Sequence, residues 1–269
     1  MPNKNFETNK SEFKKSLIVL KSMVARNIKN QYRRSVLGIF WTVLNPLLNM
    51  LVMAFVFSSI FNRGSIHMDY PIYILSGNIV FSLMRTATAN SLTCIVGNYD
   101  LLNKTKIPQI IFPLSHNFSA VVNFGFSLIA LIFVMLFRIP KGVSFHATMP
   151  MIFFPWLPSI LLFCIGISLI LSTVYVRFRD IKHIYSVILT LWMYMTPIFY
   201  AADILGEEVL AVLGFNPMFH YLTYFRNVVA LGVVPSLIDH LICYGFGICF
   251  FLIGYVIFNS KRKTFILYI

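Results

Sequence analysis

Lysine and arginine sit in only a few short intervals of this chain, separated by long apolar runs. They crowd into the N-terminal arm (Lys4, Lys10, Lys14, Lys15, Lys21, Arg26, Lys29, Arg33, Arg34), two short breaks (Lys104 and Lys106; Arg177, Arg179 and Lys182) and the extreme C-terminus (Lys261, Arg262, Lys263). The alternate breaks hold only Arg63, Arg138, Lys141 and Arg226. Such one-sided charge marks a polytopic membrane protein of fixed orientation. A soluble globule is excluded by the same sequence: with 58% hydrophobic and 12% charged residues and a mean hydropathy of +0.78, there is too little polar surface to cover one.

Spanning a hydrocarbon core of about 30 Å takes roughly 20 helical residues. Six runs meet that length, and they predict an all-α protein with spans near Val36–Phe61, Ile72–Val96, Ile110–Phe137, Pro150–Val176, Ile184–Ala202 and Leu241–Phe258. Six spans put both termini on one side, and the basic intervals make that side cytoplasmic. The expected organisation is a cytoplasmic arm (1–35), a six-span domain (36–258) and a cytoplasmic tail (259–269). The net charge of +13 then reports topology and attraction to anionic lipid, and nucleic acid is not expected as a partner. A cleavable signal peptide is not expected either, because the first apolar run starts late and is longer than a roughly 7–15-residue signal core.

Within the arm, Phe13, Leu17, Leu20, Val24, Ile28 and Tyr32 recur at helical spacing with the cations mainly off that stripe, which predicts an amphipathic helix lying at the membrane interface. Between spans five and six, residues of about 203–232 are too apolar for an ordinary loop. They predict two short helices separated at Pro217 and re-entering the outer half of the bilayer.

The chain lacks the motifs of an enzyme. It has no GxxxxGK[ST] phosphate loop, no HExxH, no GxSxG and no acidic pair within a span, so no catalytic residue and no bound cofactor is expected. Cys94, Cys164, Cys243 and Cys249 fall inside spans with no CxxC or Cys/His spacing, so they read as packing residues and no metal site is expected. Arg85 is the one charge deep in a span. At about 20 Å from the outer surface it is too deep to snorkel, so it must face protein or an aqueous path. It serves either as an internal hydrogen-bonding group or as a contact for an anion such as a lipid phosphate. The aromatic residues Phe40, Trp41, Tyr194 and Tyr200 of spans one and five are either lipid-facing belt residues or faces on which sugar rings stack.

Several stretches together resemble, in order, the membrane subunit of ABC exporters for cell-surface polysaccharides. They are Tyr32-Arg33-Arg34-Ser35-Val36-Leu37-Gly38-Ile39-Phe40-Trp41 with Asn45-Pro46-Leu47, the Lys104-to-Pro113 stretch, Arg177-Phe178-Arg179-Asp180, Thr196-Pro197-Ile198-Phe199-Tyr200 and Asn216-Pro217-Met218. The resemblance is nearest to O-antigen export permeases. It implies a homodimeric permease in the bacterial inner membrane that pairs with two separate ATPase subunits, which bind ATP and Mg, and moves lipid-linked polysaccharide through a channel at the dimer interface. It further implies that residues 11–34 are the interface helix. Leu101, Leu102, Lys104 and Lys106, with Arg177, Arg179 and Asp180, would couple to the ATPase, and Leu213, Asn216 and Pro217 would belong to an external gate. Ile107 and Gln109 depart from the family's usual aromatic and basic residues. Capsule or teichoic-acid permeases share much of the pattern, and a channel or drug-type permease shares its broad outline. A membrane-embedded glycan transferase or ligase would need clustered acidic residues, whereas Asp203, Glu207, Glu208 and Asp239 are scattered.

Overall fold

The computed structural model describes residues 3–33, 37, 38, 40–57, 68–104, 107–202 and 205–268, with the backbone alone for 3–13, 32, 54, 57, 103, 266 and 267. Among these residues the chain is all-helical: α1 (Asn3–Tyr32), α2 (Phe40–Phe57), α3 (Tyr70–Leu92), α4 (Tyr99–Lys104), α5 (Ile111–Arg138), α6 (Trp156–Arg177), α7 (Ile181–Met195), α8 (Glu207–Leu213), α9 (Pro217–Arg226), α10 (Leu237–Lys261) and α11 (Phe265–Tyr268). By length and composition α5, α6 and α10, each with its short flanking turn, can cross a membrane. A fourth crossing is formed if α3 and the segment Val96–Leu102, bent from it by 60°, count as one. The other two expected spans are shorter where described: α2 covers 18 residues and α7 covers 15.

Helix ends follow local chemistry. The α7 helix stops at Met195, short of the expected Ala202, because Pro197 forces Thr196 into an extended conformation (φ −102°, ψ 131°). Residue Asn216 caps α9, its side chain accepting from the Met218 amide, and Pro217 takes the first helical position, where a missing N–H costs nothing. Ser236 and Asp239 form a reciprocal capping box that starts α10 at Leu237, four residues before the expected edge of the sixth span.

Close backbone approach holds α6 against α10. A Cβ on Gly166 would collide with the Phe250 carbonyl, one on Gly254 with the Gly166 carbonyl, and one on Gly247 would lie 2.6 Å from the Ser159 oxygen. Small residues let apolar helices associate in lipid, where burial drives nothing. Gly166→Leu or Gly254→Leu is therefore expected to destabilise the fold by about 1–3 kcal/mol or more, as overpacking does. Thermal melting of the detergent-solubilised protein measures this, and a wild-type midpoint for both variants would show that the two backbones do not meet.

Polar ties lock the remaining helices. The Asn117 amide of α5 reaches Ser168 Oγ of α6 at 2.9 Å and Ser91 Oγ of α3 at 3.3 Å. Tyr185 of α7 donates to Thr88 of α3 at 2.7 Å. Helix α1 rests on α5, with Asn27 donating to Ser115 and Asn123 to Gln31. Since Ser115 and Asn123 are two turns apart, α1 is inclined along α5 rather than touching it at one point. Leu17 and Ile18 of α1 are exposed, while Met23 is buried.

Candidate functional site

Three features of the bundle are unusual for a surface facing hydrocarbon. The first is a polar groove. On α2, Thr42, Asn45 and Asn49 share a face; on α3, Asn78, Ser82, Arg85 and Thr86 do; on α5, Asn123 and Ser127 do. These faces meet in two adjoining clefts that share Asn45, Pro46 and Ser82. One, of about 230 Å³, is also lined by Gln31, Trp41, Thr86 and Asn123; the other, of about 150 Å³, by Asn49, Asn78, Arg85 and Met193. Apart from Arg85, the polar lining is uncharged amides and hydroxyls that donate and accept hydrogen bonds, which suits a hydroxyl-rich ligand.

The sequence reading singled out aromatics and passed over the amides, although their spacing carried the signal. Asn78, Ser82 and Thr86 recur every four residues, and Asn45 and Asn49 do the same, inside runs whose mean hydropathy hides them. The four chosen aromatics do not form one cluster. Trp41 lines the groove beside Thr86, and Phe40 is exposed next to it. Tyr194 is exposed, and Tyr200 donates to its carbonyl at 2.9 Å. The Tyr200 carbonyl in turn accepts from the Tyr73 hydroxyl, thirteen residues before Thr86 on α3 and so about 20 Å away along the helix axis. Arg85 faces the groove rather than lipid. Its guanidinium lies against Met193 Sδ at 3.8 Å and the Phe81 ring at 5.6 Å from the centroid, within electrostatic reach of the Tyr185 hydroxyl.

The second feature is a clamp at the end where α3 begins. Counted by sequence among the loop cations, Arg226 is in fact buried at the end of α9. Its Nη1 donates to the Pro197 carbonyl at 2.8 Å, Nη2 to the carbonyls of Tyr73 at 3.0 Å and Ile198 at 3.3 Å, and Nε to Ser76 Oγ at 3.4 Å. The guanidinium lies 3.5 Å from the Tyr73 ring centroid. A Cβ on Gly77 would sit 3.0 Å from Nη2, so glycine makes the room. Trp192 Nε1 donates to Asn216 Oδ1 at 2.8 Å, and Asn216 Nδ2 to Thr196, tying α7 to α9. Of the three residues assigned to an external gate, Leu213 and Pro217 are buried and Asn216 makes these bonds. Nearby Arg138, also counted as a lone loop cation, makes a forked salt bridge with Asp69.

The third feature lies at the opposite end. Met23, Leu102, Phe112, Val176, Phe258 and Phe265 share one buried cluster, so α1, α4, α5, α6, α10 and α11 converge there. Two sequence-distant groups of expected coupling residues are thereby joined beneath one surface. Leu102 is buried and Leu101 half-buried, whereas Lys104, Arg177, Arg179 and Asp180 are exposed; Lys106 lies outside the described residues. The Arg177 guanidinium sits 4.7 Å from the Tyr268 ring centroid and that of Arg179 lies 5.5 Å from the Tyr175 ring centroid. Sequence reasoning gave the tail only a charge role and missed Phe265 and Tyr268 as its anchors. Among the described residues no group of His, Cys, Asp and Glu could hold a metal ion.

Comparison with known proteins finds relatives along most of the chain. The chain is 28% identical over 250 residues to the O-antigen export system permease protein RfbA of Myxococcus xanthus, covering 92% of this chain and 94% of that protein. It is 26% identical to RfbA of Klebsiella pneumoniae (89% and 90% covered) and 21% identical to the polysialic acid transport protein KpsM of Escherichia coli (95% and 98% covered). Residues 18–230 match the ABC-2 type transporter family, so this multi-pass membrane chain belongs to the ABC-2 type transporters as a membrane subunit.

Proposed function

We propose that this chain is the permease subunit of an ATP-driven exporter, moving lipid-linked polysaccharide of O-antigen type across the bacterial inner membrane. The groove of neutral amides and hydroxyls on α2, α3 and α5 carries the reading. Polar side chains open to the side of apolar helices are costly against lipid and are suited to a hydrated polyol. Names of the relatives, which include O-antigen and polysialic acid transport proteins, give the same substrate class.

A groove open along one face needs a second wall, and a second copy of the chain supplies it in a homodimer. Six crossings then follow if α2 and α7 each span a bilayer locally thinned around the channel. Both termini face the cytoplasm, where the basic intervals concentrate. α1 lies at the membrane interface, α8 and α9 re-enter from the outside as a gate held by Asn216 and Pro217, and Lys104, Arg177, Arg179 and Asp180 meet two ATPase subunits. ATP and Mg belong to those subunits. The transferase reading has less support: Glu207 and Glu208 lie exposed in the first turn of α8, and Asp239 is absorbed in the α10 capping box.

Deletion of the gene tests the reading. Surface polysaccharide should disappear, lipid-linked glycan should accumulate on the cytoplasmic side, and the plasmid-borne chain should restore export. Surface polysaccharide unchanged in amount and length after deletion would refute the function. The purified chain without its partner is expected to hydrolyse no ATP.

A further inference from the structure

Two arginines lie within the helical bundle, Arg85 on α3 and Arg226 at the end of α9, and their surroundings differ completely. Arg226 is buried, with three carbonyls, a hydroxyl and an aromatic face around it. Arg85 is open to a cleft and touches one thioether sulfur and, more distantly, one ring. Among the described residues the one salt bridge is Arg138 with Asp69, so Arg85 has no carboxylate partner. A second orphan donor stands in the same wall. Asn78 Nδ2 is buried without a hydrogen-bond acceptor, two turns before Arg85 on α3 and lining the same cleft. Asn45, Asn49 and Ser82 complete the polar lining, and no acid is among the lining residues. A site with a free guanidinium, an unsatisfied amide donor and no negative charge is built to receive an oxyanion.

Size and depth narrow the ligand. The cleft of about 150 Å³ is below the roughly 300–1,000 Å³ of a small-molecule pocket, so it takes one charged group of a larger molecule. Arg85 is seven residues before the end of α3 at Leu92, hence about 10 Å inside that end, on the side where α4 and the basic intervals lie. We infer that Arg85 and Asn78 form an anion subsite that holds a phosphoryl or carboxylate group of the transported molecule where it enters the neutral groove. The inference rests on the transport reading above and adds a charge requirement to it. The anion comes either from the phosphate of the lipid carrier or from an acidic sugar of the polymer.

The test uses the full chain with its ATPase partner in phosphatidylcholine nanodiscs. Equilibrium binding is measured for farnesyl diphosphate against farnesol, and for a pentameric oligouronate against maltopentaose. One charge-assisted contact is worth roughly tenfold in affinity. Arg85→Gln should therefore weaken at least one anionic probe by about that factor and leave both neutral probes unchanged, while Arg85→Lys, which keeps charge but not the fork, retains part of the affinity. Asn78→Ala should weaken the same probe less. Loss confined to farnesyl diphosphate assigns the anion to the carrier, and loss confined to the oligouronate assigns it to the polymer. Arg85 is open and, among the described residues, makes no interhelical hydrogen bond to oxygen or nitrogen, so the Gln variant should melt like wild type. Equal binding of all four probes by wild type and Arg85→Gln overturns the subsite. A chain that restores export yet shows that equality loses only this inference; one whose deletion leaves surface polysaccharide intact loses the transport reading itself.

Discussion

Arg226→Met should lower the stability of the solubilised permease by about 2–4 kcal/mol and abolish export. The guanidinium now satisfies the carbonyls of Tyr73, Pro197 and Ile198 and the Ser76 hydroxyl, joining α3, the turn after α7 and the end of α9. Methionine fills similar volume but donates nothing, so several buried acceptors lose a partner at about 1–3 kcal/mol each, partly offset by relaxation. Arg226→Lys keeps the charge and loses the fork and the stacking on Tyr73, so its loss should be smaller. Tyr73→Phe offers a finer control, removing the hydroxyl bonds to Pro197 and Tyr200 while leaving the ring under the guanidinium. Thermal melting and surface polysaccharide are the two readouts. Wild-type melting of Arg226→Met would mean that α9 is held without the clamp.

That clamp shows where a one-dimensional reading stops. The apolar runs announced α5, α6 and α10 because a sustained run needs no information from elsewhere in the chain; α5 lies within one residue of its expected edges, while α6 begins six residues after the expected Pro150. The start of α10 and the end of α7 were missed by four and seven residues although Ser236 with Asp239 and Thr196 before Pro197 are local signals readable from their neighbours alone. Arg226 was not. Its partners lie about 30 residues away in the turn after α7 and 150 away at Ser76, so a charge count could only place it in a loop. The tail was equally opaque, since Phe265 becomes a core residue only when α11 folds back on α6. The groove is an intermediate case. Its four-residue polar rhythm was present in the sequence, but the aromatic residues drew attention first, and only the packing of α2 on α3 showed that the polar faces look at one another.

Filling the groove should stop export without unfolding the protein. Asn45→Leu together with Ser82→Leu replaces the two polar residues common to both clefts with side chains that apolar helices accept readily. Among the described residues neither makes an interhelical hydrogen bond that the change would orphan, in contrast to Asn117 or Arg226. If these faces simply met lipid, the substitution would be neutral or stabilising. If they form the wall along which a hydrated glycan moves, the path becomes narrower and loses several hydrogen-bonding groups, and surface polysaccharide should fall roughly tenfold or more. Melting temperature and membrane insertion should stay near wild type. The aromatic residues give an independent measurement on the same path. Alanine at Phe40 and Trp41 acts where Trp41 lines the groove, and alanine at Tyr200 acts about 20 Å along α3 from Thr86. The effects of those two changes on export of long chains should therefore combine without coupling, as distant sites do. Normal polysaccharide amount and length in the Asn45→Leu, Ser82→Leu double variant would remove the groove from the transport path, whatever the aromatic variants do.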